Sequence, residues 1–462
     1  MTGGRAAPDA RLVSAAMLGV ASGAILVPLN STMLAVALPG VEHEFALSAN
    51  AVSSLVTLYL GAVAVALPVG GSIGDRYGHR PAFLAGVLGF ALASALAAVA
   101  SSFEILEVAR VGQAISGALI STSSAALIRQ TAPAARQGEA FGLFDLMVST
   151  SAAIGPFIGG LLVGGFGWRS LFVIAVPLGI VSAAFVGLWL RPDPAAHAAE
   201  HRRAPVPIDV PGLALLSLAI IAFLVAIRIG SGAIGLVAAL AVVPLLALFV
   251  AVELRRDRPA VDPRLFLKRP FAAAVAGVFG STVILHGSFI LVPFLTERLL
   301  HETATTSGVV LLGIAGVAAL VAPFGGRFSD RNGRRNVVVV GSAISAVGLA
   351  GLWLDVGGMT TLTVALLLGV VGFGNGLTSP RQAAALESVE PTRVGMAAGT
   401  YYTGRYLGGV VGASLAGAIL GNQVTAGGVG LGFGVLAAVG VAVAIVSLGL
   451  RGPARRSPRI TA

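Results

Sequence analysis

Long apolar stretches alternate with short polar segments along most of this chain. Each apolar stretch is roughly twenty residues long, which is the length at which an α-helix crosses the hydrocarbon part of a bilayer. The pattern therefore predicts an all-α polytopic membrane protein with fourteen spanning helices, at residues 12–38, 49–71, 82–101, 104–128, 138–165, 170–190, 210–229, 232–252, 271–296, 305–326, 337–355, 360–380, 395–420 and 427–450.

A charged turn between two of these helices occurs twice. Gly71–Arg80 and Gly326–Arg335 both read G-x-x-x-D-R-x-G-x-R, and their aspartates lie 255 residues apart. Each copy follows the second helix of a group of six, which indicates a duplicated architecture. We therefore predict two six-helix halves and two inserted central helices, with an N-terminal half at 1–190, a central part at 191–269 and a C-terminal half at 270–462.

Composition agrees with a membrane protein. Hydrophobic residues make up 56% of the chain, charged residues 11%, and the mean hydropathy is +0.92. The first apolar stretch follows Arg5 and Arg11, as a secretory signal would, but residues 12–38 are too long for the apolar part of a signal peptide. We interpret this stretch as the first spanning helix.

The positions of the basic residues predict the orientation. If the N-terminus is cytoplasmic, 25 of the 30 Lys and Arg residues fall in cytoplasmic segments, Arg381 among them. Three fall in segments on the outer side, and two lie within spans. This is a strong positive-inside bias, and it predicts a multi-pass protein of the inner (cytoplasmic) membrane with both termini in the cytoplasm. The net charge of +10 is then explained by topology, and we expect no nucleic-acid partner.

Several chemistries are excluded or unsupported by the residue inventory. The chain has no Cys, so it has no disulfide or thiolate metal site. Its single lysine, Lys268, has no glycine loop before it, which excludes a P-loop ATPase within the chain. The six His are scattered, and no HExxH or paired-Asp motif occurs. We expect neither a metal, a cofactor nor an enzymatic activity. A membrane-embedded enzyme or receptor is the alternative to a transporter.

Seven sequence motifs occur in the order typical of one known group of transporters. They are the charged turn in two copies, Leu29–Pro39 in the first helix, Tyr59 and Pro68 in the second, Arg110–Gln113 in the fourth, Gly155–Gly160 with Gly142 in the fifth, Pro263–Phe271 before the ninth, and Arg405–Gly409 in the thirteenth. Together they resemble the major facilitator superfamily, specifically the fourteen-span drug:proton antiporter branch of multidrug efflux proteins. The resemblance covers nearly the whole chain.

Four residues depart from the pattern of that branch. Asn30 stands where the branch has Asp, Ala114 and Ser151 replace glycines, and Ser54 replaces Trp. The first departure concerns mechanism, because Asn has the shape of Asp but cannot titrate.

The resemblance implies roles for two sets of residues. The charged turns are expected to act as a conformational latch on the cytoplasmic side, formed by Gly71, Asp75, Arg76, Gly78 and Arg80 with Gly326, Asp330, Arg331, Gly333 and Arg335. The alternative is a plain positive-inside loop with a turn glycine. The fifth helix is expected to carry the antiporter motif, formed by Gly142, Gly155, Pro156, Gly159 and Gly160, and its alternative is generic packing of small residues.

Charged residues within spans are costly and mark functional candidates. The candidates for proton coupling are Glu107, Arg110, Asp145 and His286. His286 precedes Asp330 by nearly the distance at which Asn30 precedes Asp75, so the two occupy near-equivalent places in the halves. Each also has an ordinary interpretation: His286 as a hydrogen-bonded core residue, Glu107 as a static ion pair, and Asp145 as a packing residue.

The substrate is the least readable feature. The candidates for lining the substrate cavity are Asn30, Tyr59, Gln113, Phe141, Tyr401, Tyr402 and Arg405. An apolar cavity with few charges suits a lipophilic or amphiphilic solute. We therefore expect a monomer in the lipid bilayer that exports small hydrophobic drugs or antibiotics by alternating access in exchange for protons. The alternatives are a lipid or glycolipid exporter on the same fold, or coupling that does not use protons because of Asn30.

Overall fold

A computed structural model describes residues 10–131, 137–190, 209–229, 232–256, 259, 262–354, 356–390 and 394–451. Within these helices the side chains of 10–16, 131, 137–142, 145, 227–229 and 394–396 lie outside the described set. Throughout the described ranges the regular elements are helical.

Within the described residues, the first part of the chain forms eight helices. They are α1 (Ala10–Met33), α2 (Leu38–Phe45), α3 (Ala49–Tyr77), α4 (His79–Ala98), α5 (Phe103–Thr131), α6 (Gln137–Phe166), α7 (Ser170–Val173) and α8 (Ala175–Trp189). A 3₁₀ turn at Leu34–Ala37 joins α1 to α2, so the first predicted helix changes its winding near its end.

The remainder forms nine helices over the ranges that the structure describes. They are α9 (Val210–Ile229), α10 (Ala233–Leu254), α11 (Arg269–Phe294), α12 (Ala304–Asn332), α13 (Arg334–Leu354), α14 (Thr361–Leu377), α15 (Arg381–Glu387), α16 (Val394–Leu420) and α17 (Ala426–Ser447). A 3₁₀ turn at Pro263–Leu267 precedes α11, and a π turn at Leu295–Leu299 follows it.

Twelve helices in the described part of the chain are long and apolar enough to cross a membrane. Every predicted interval contains a helix, but α9 and α16 are outside these twelve. The described apolar part of α9 ends at Ala226. α16 carries Arg405 and three tyrosines, which lower its mean hydropathy. The structure thus supports an all-helical membrane protein with twelve candidate spans, and the count of fourteen is not shown.

The two charged turns are junctions of one residue each. α3 ends at Tyr77 and α4 begins at His79, while α12 ends at Asn332 and α13 begins at Arg334. The linking residues Gly78 and Gly333 have φ of 94° and 81°. This left-handed backbone favours glycine, which ends the helix without the steric cost of a Cβ.

The chain divides into two compact units. The first comprises Met1–Ala37 with Ala62–Ile208, and the second comprises Leu38–Gly61 with Asp209–Ala462. In the first, buried residues such as Phe83, Val87 and Phe90 of α4 form part of the core. In the second, Phe271, Val338 and Ala397 belong to a core cluster. The predicted division at residues 190 and 270 remains a prediction.

Candidate functional site

A hydrogen-bonded chain of polar side chains lies inside the first unit. Arg110 on α5 is fully buried, and its Nη1 donates to Asn30 Oδ1 on α1 and to Gln113 Oε1, both at 2.7 Å. Gln113 Nε2 donates to Ser94 Oγ on α4 at 2.8 Å. Asn30 Nδ2 donates to the Leu171 carbonyl at 3.4 Å. Four helices are therefore tied together around one cation.

Asn30 contributes to this network as an amide. Its oxygen accepts from Arg110 while its nitrogen donates, and an aspartate could not make the second bond. Ser94 and Leu171 were not anticipated, because their sequence separation from Arg110 and Asn30 hides the contact. Glu107 lies one turn before Arg110 and is half-buried. The proton-coupling roles of Glu107 and Arg110 remain predictions.

Gly155 and Gly159, two of the glycines predicted to form the antiporter motif, lie against α1. A Cβ on Gly159 would lie 2.9 Å from the Met33 carbonyl oxygen, and one on Gly155 would meet Thr32 and the Leu29 carbonyl. The two helices therefore approach so closely that a larger residue at either glycine would displace the backbone. Pro156 lies between them within α6.

Three predicted residues of α6 have side-chain positions outside the described set. Asp145, Phe141 and Gly142 belong to the helix Gln137–Phe166. Gly160 is buried in the same helix.

The first charged turn makes its contacts within the first unit. His79 Nε2 lies 3.3 Å from Asp75 Oδ1, one helical turn away, and Arg80 Nη2 donates to the Gly187 carbonyl at 2.9 Å. A Cβ on Gly74 would collide with the His79 ring, so this glycine makes room for it. His79 and Gly74 are additions to the predicted set.

The second copy contacts a different partner. Arg334, at the position of His79, forms a bidentate ion pair with Glu387 of α15. Asp330, Arg331 and Arg335 lie on the same junction as Gly333. Beyond their own helices, no atom of the described residues lies within 4 Å of the position of a Cβ on Gly71 or Gly326. The latch remains a prediction.

His286 lies between two helices of the second unit. Its Nδ1 is 3.1 Å from the Thr282 carbonyl, and the same threonine donates through Oγ1 to the Arg405 carbonyl of α16 at 2.8 Å. Because a carbonyl only accepts, the proton of this contact belongs to Nδ1, which leaves Nε2 able to accept. A Cβ on Gly409 would lie 3.1 Å from Nδ1 of His286. The histidine thus occupies the α11–α16 contact.

The aromatic candidates are less uniform. Tyr59 and Tyr401 are buried, whereas Tyr402 is exposed and accepts from Gln382 Nε2 at 3.2 Å. The Tyr401 and Tyr402 rings pack edge to face, with centroids 6.2 Å apart. Arg405 is exposed.

A cavity in the second unit is lined by residues other than these aromatic ones. It has a volume of about 150 Å³ and lies between α3, α9 and α16. Ser53, Thr57 and Ser414 supply hydroxyls, and Ile221 and Leu224 supply apolar walls. None of the six predicted cavity residues whose side chains are described lines it.

Two further charged features were not recognised from the sequence as sites. Arg381, counted above among cytoplasmic loop residues, is 2% exposed and lies inside the second unit. Glu42 of α2 pairs with Arg298 at 2.5 Å, and Glu42 is 9% exposed. Among the described residues no group of three or more His, Cys, Asp or Glu could hold a metal ion.

These features define a class of protein, a multi-pass helical membrane protein. It contains ion pairs, and a hydrogen-bonded guanidinium is buried among its helices. The chain matches the Major Facilitator Superfamily profile over residues 20–320 and 277–461, and it belongs to that superfamily. It is therefore a membrane transporter and not an enzyme.

Named relatives align over most of the chain. It is 32% identical to the uncharacterized MFS-type transporter YwoD of Bacillus subtilis, over 89% of this chain and 91% of YwoD. It is 33% identical to the tetracenomycin C resistance and export protein of Streptomyces glaucescens, over 88% and 76%. It is 29% identical to a multidrug resistance protein B homolog of Mycobacterium tuberculosis, over 86% and 74%.

Solved structures share the fold. A crystal structure of a mutant of the peptide transporter POT aligns with a TM-score of 0.69 at 14% identity, over 96% of this chain and 98% of the other. The human organic anion transporter MFSD10 aligns with a TM-score of 0.62 at 16% identity, over 94% and 99%.

Proposed function

We propose that this protein is a secondary active exporter of small hydrophobic or amphiphilic compounds, including antibiotics. The observation that carries the proposal is similarity over 88% of the chain to a protein named for tetracenomycin C resistance and export. Similarity to proteins named for multidrug resistance supports the same direction of transport. An apolar set of helices with few acids suits solutes that partition into lipid.

The mechanism we propose is alternating access of two halves, driven by exchange for protons. Asn30 cannot titrate, so the proton is carried by Glu107, Asp145 or His286. Of these, His286 has the most direct structural support, because it lies at the α11–α16 contact and keeps Nε2 available. A histidine ring can take up and release a proton at its ring nitrogens. A charge that appears between two packed helices gives protonation a way to change their contact.

The topology we propose has fourteen spans, with α9 and α10 as the inserted pair and both termini in the cytoplasm. The positive-inside distribution supports this arrangement, and so does the length of α9 and α10, at 20 and 22 residues. We further propose a monomer in the cytoplasmic membrane.

An efflux assay tests the export proposal. An efflux-deficient bacterium expressing the protein should accumulate several-fold less of some lipophilic fluorescent compounds and antibiotics than a host with Arg110→Ala. Equal accumulation of every compound, together with altered envelope lipids, would support a lipid exporter instead.

Coupling is tested separately in liposomes. Purified protein should concentrate substrate when a pH gradient is imposed, and collapse of the gradient should abolish the accumulation. Transport that ignores the gradient would reject proton exchange and leave export itself intact.

A further inference from the structure

Arg381 carries a positive charge into the interior of the second unit. It is the first residue of the short helix α15, and its side chain is 2% exposed. Its Nη1 donates to the Gly277 carbonyl at 2.9 Å and to Ser281 Oγ at 2.7 Å, and its Nη2 donates to Ser342 Oγ at 3.2 Å. A Cβ on Gly277 would lie 2.7 Å from Nε, so the glycine of α11 makes room for the guanidinium.

Nothing negative compensates this charge in the described part of the chain. The ion pairs found there involve Asp75, Asp209, Glu42 and Glu387, and none of them reaches Arg381. All three hydrogen bonds of the guanidinium go to neutral oxygens. A buried charge without a counter-charge is strongly unfavourable, and a guanidinium stays protonated in proteins.

The guanidinium also has unused donors. It has five N–H groups, of which three are used, and Nε is buried without a hydrogen-bond partner among the described residues. Ser281 accepts from Arg381, so its own hydroxyl hydrogen remains available. Nε lies against Gly277, so the donors for a negative particle are the remaining N–H of Nη2, which bonds Ser342, and the Ser281 hydroxyl.

A small cavity borders this cluster. Ser281 and Ser342, which the guanidinium contacts, are also lining residues of the cavity, together with Ser345, Asn375 and Thr378. About 10 Å³ is open to the centre of a water-sized sphere, which corresponds to roughly one such particle. The cavity is therefore too small for a drug or for the carboxyl end of one, but it suits a monatomic ion.

We propose that Arg381 and this cavity form a binding site for a small inorganic anion, for which chloride is the probe. The guanidinium supplies the charge, and the Ser281 hydroxyl and the Asn375 amide supply further donors. The anion neutralises Arg381 and ties α11, α13, α14 and the start of α15 together. The site does not depend on the identity of the exported compound.

Thermal unfolding of the purified full-length protein tests the site. Sodium gluconate is replaced stepwise by sodium chloride or bromide at constant ionic strength. The melting temperature of the unaltered protein should rise saturably by about 2 °C or more, because a ligand that binds only the folded state stabilises it by mass action. Arg381→Gln should abolish the rise.

The matched control is Arg269→Gln. Arg269 is exposed at the start of α11, the helix that also provides Gly277 and Ser281, and its loss removes the same charge. This variant should keep the full halide response. The proposal is overturned if the unaltered protein shows no saturable halide response, or if Arg381→Gln keeps the response.

Anomalous diffraction from bromide tests the site in the unaltered protein, without any variant. Crystals grown in bromide should show an anomalous peak within hydrogen-bond distance of Arg381 or Ser281. If Arg381→Gln fails to fold, this measurement on the unaltered protein decides the question, and the absence of a peak at this position rejects the site.

Discussion

Arg110 donates hydrogen bonds to two side-chain amides. Its guanidinium is fully buried, and two of its hydrogen bonds end on the Asn30 and Gln113 oxygens. Hydrogen bonds from a charged donor are stronger than neutral ones, so each link stabilises the cation. At this position the chemistry favours a fixed charge that organises four helices.

Arg110→Lys should lower transport about tenfold or more while the protein still folds. An ammonium is a compact and strongly hydrated charge, so it is less well suited to this buried place than a planar guanidinium. Substrate accumulation in cells measures the loss. Arg129→Lys is the control, because Arg129 lies exposed on the same helix and the change keeps its charge. Full activity in Arg110→Lys would contradict the role given to the guanidinium.

His286→Asn should abolish accumulation driven by a pH gradient. Substrate exchange without a gradient should survive, because the side chain keeps its size and a hydrogen-bond donor for the Thr282 carbonyl. Transport in liposomes with and without a gradient measures the difference. His43→Asn, at an exposed position on α2, should behave like the unaltered protein. If gradient-driven transport persists in His286→Asn, the proton is carried at Glu107 or Asp145.

At the scale of helices, the α1–α6 contact depends on the absence of side chains. Gly159 lies so near the Met33 backbone that no added carbon fits without movement. The 3₁₀ turn of Leu34–Ala37 begins directly after Met33, so the close contact adjoins the place where the first helix changes its winding. A shift of α6 would therefore displace the end of α1, next to the 3₁₀ turn that leads to α2.

Gly159→Ala should destabilise the protein by about 1–3 kcal/mol, because the Cβ forces the two backbones apart. Gly165→Ala is the matched control on the same helix, since a Cβ there meets nothing within 4 Å. Thermal unfolding of both variants provides the comparison. Equal melting temperatures for the two variants would show that the contact is looser than the structure has it.

The inserted helices allow a direct test of topology, because the chain has no native Cys. Gly232→Cys, at the exposed start of α10, should react with a membrane-impermeant thiol reagent in intact cells. Thr303→Cys should react similarly, and Arg255→Cys should not. Protection of Gly232→Cys in intact cells would reject fourteen spans.

Apolar runs alone located the helices well. Each predicted interval contains one, because burial in lipid and internal hydrogen bonding both require long apolar helices. The runs did not show the change of winding after Met33, the separate helix at Arg381–Glu387, or the burial of Arg381. These depend on which helices pack together, and hydropathy along one chain does not contain that information.

The site was predictable to a similar degree. Asn30, Arg110 and Gln113 were all selected, and the structure brings them into one network. The hydrogen bond between the Arg110 guanidinium and the Asn30 amide does not follow from the sequence pattern, because the two residues are 80 positions apart. The Glu42–Arg298 pair, separated by 256 residues, gave no signal at all.

For the whole molecule, the Glu42–Arg298 pair joins α2 to the π turn that follows α11, within one compact unit. The proposed topology places both residues on the outer side. In a carrier that opens by turns to each side, such a pair holds one closed arrangement and must break in the other.

Reversal of this pair tests its role. Glu42→Arg and Arg298→Glu should each lower the transport rate about fivefold or more, because like charges then face each other at the same place. The double variant should recover much of the loss. Transport rates in liposomes, set beside melting temperatures, separate altered cycling from misfolding. Failure of the double variant to recover, despite normal melting, would contradict a direct pairing role.

The one-residue junctions at Gly78 and Gly333 also restrict how this gene can change. An inserted residue would turn the following helix by about 100° about its axis and direct a different face towards its neighbours. The two copies have different residues at one position, His79 and Arg334. Both keep a single residue between their helices. We therefore expect these two junctions to tolerate a change of residue better than a change of length, and a tag or fluorescent fusion inserted there should disrupt the helix packing.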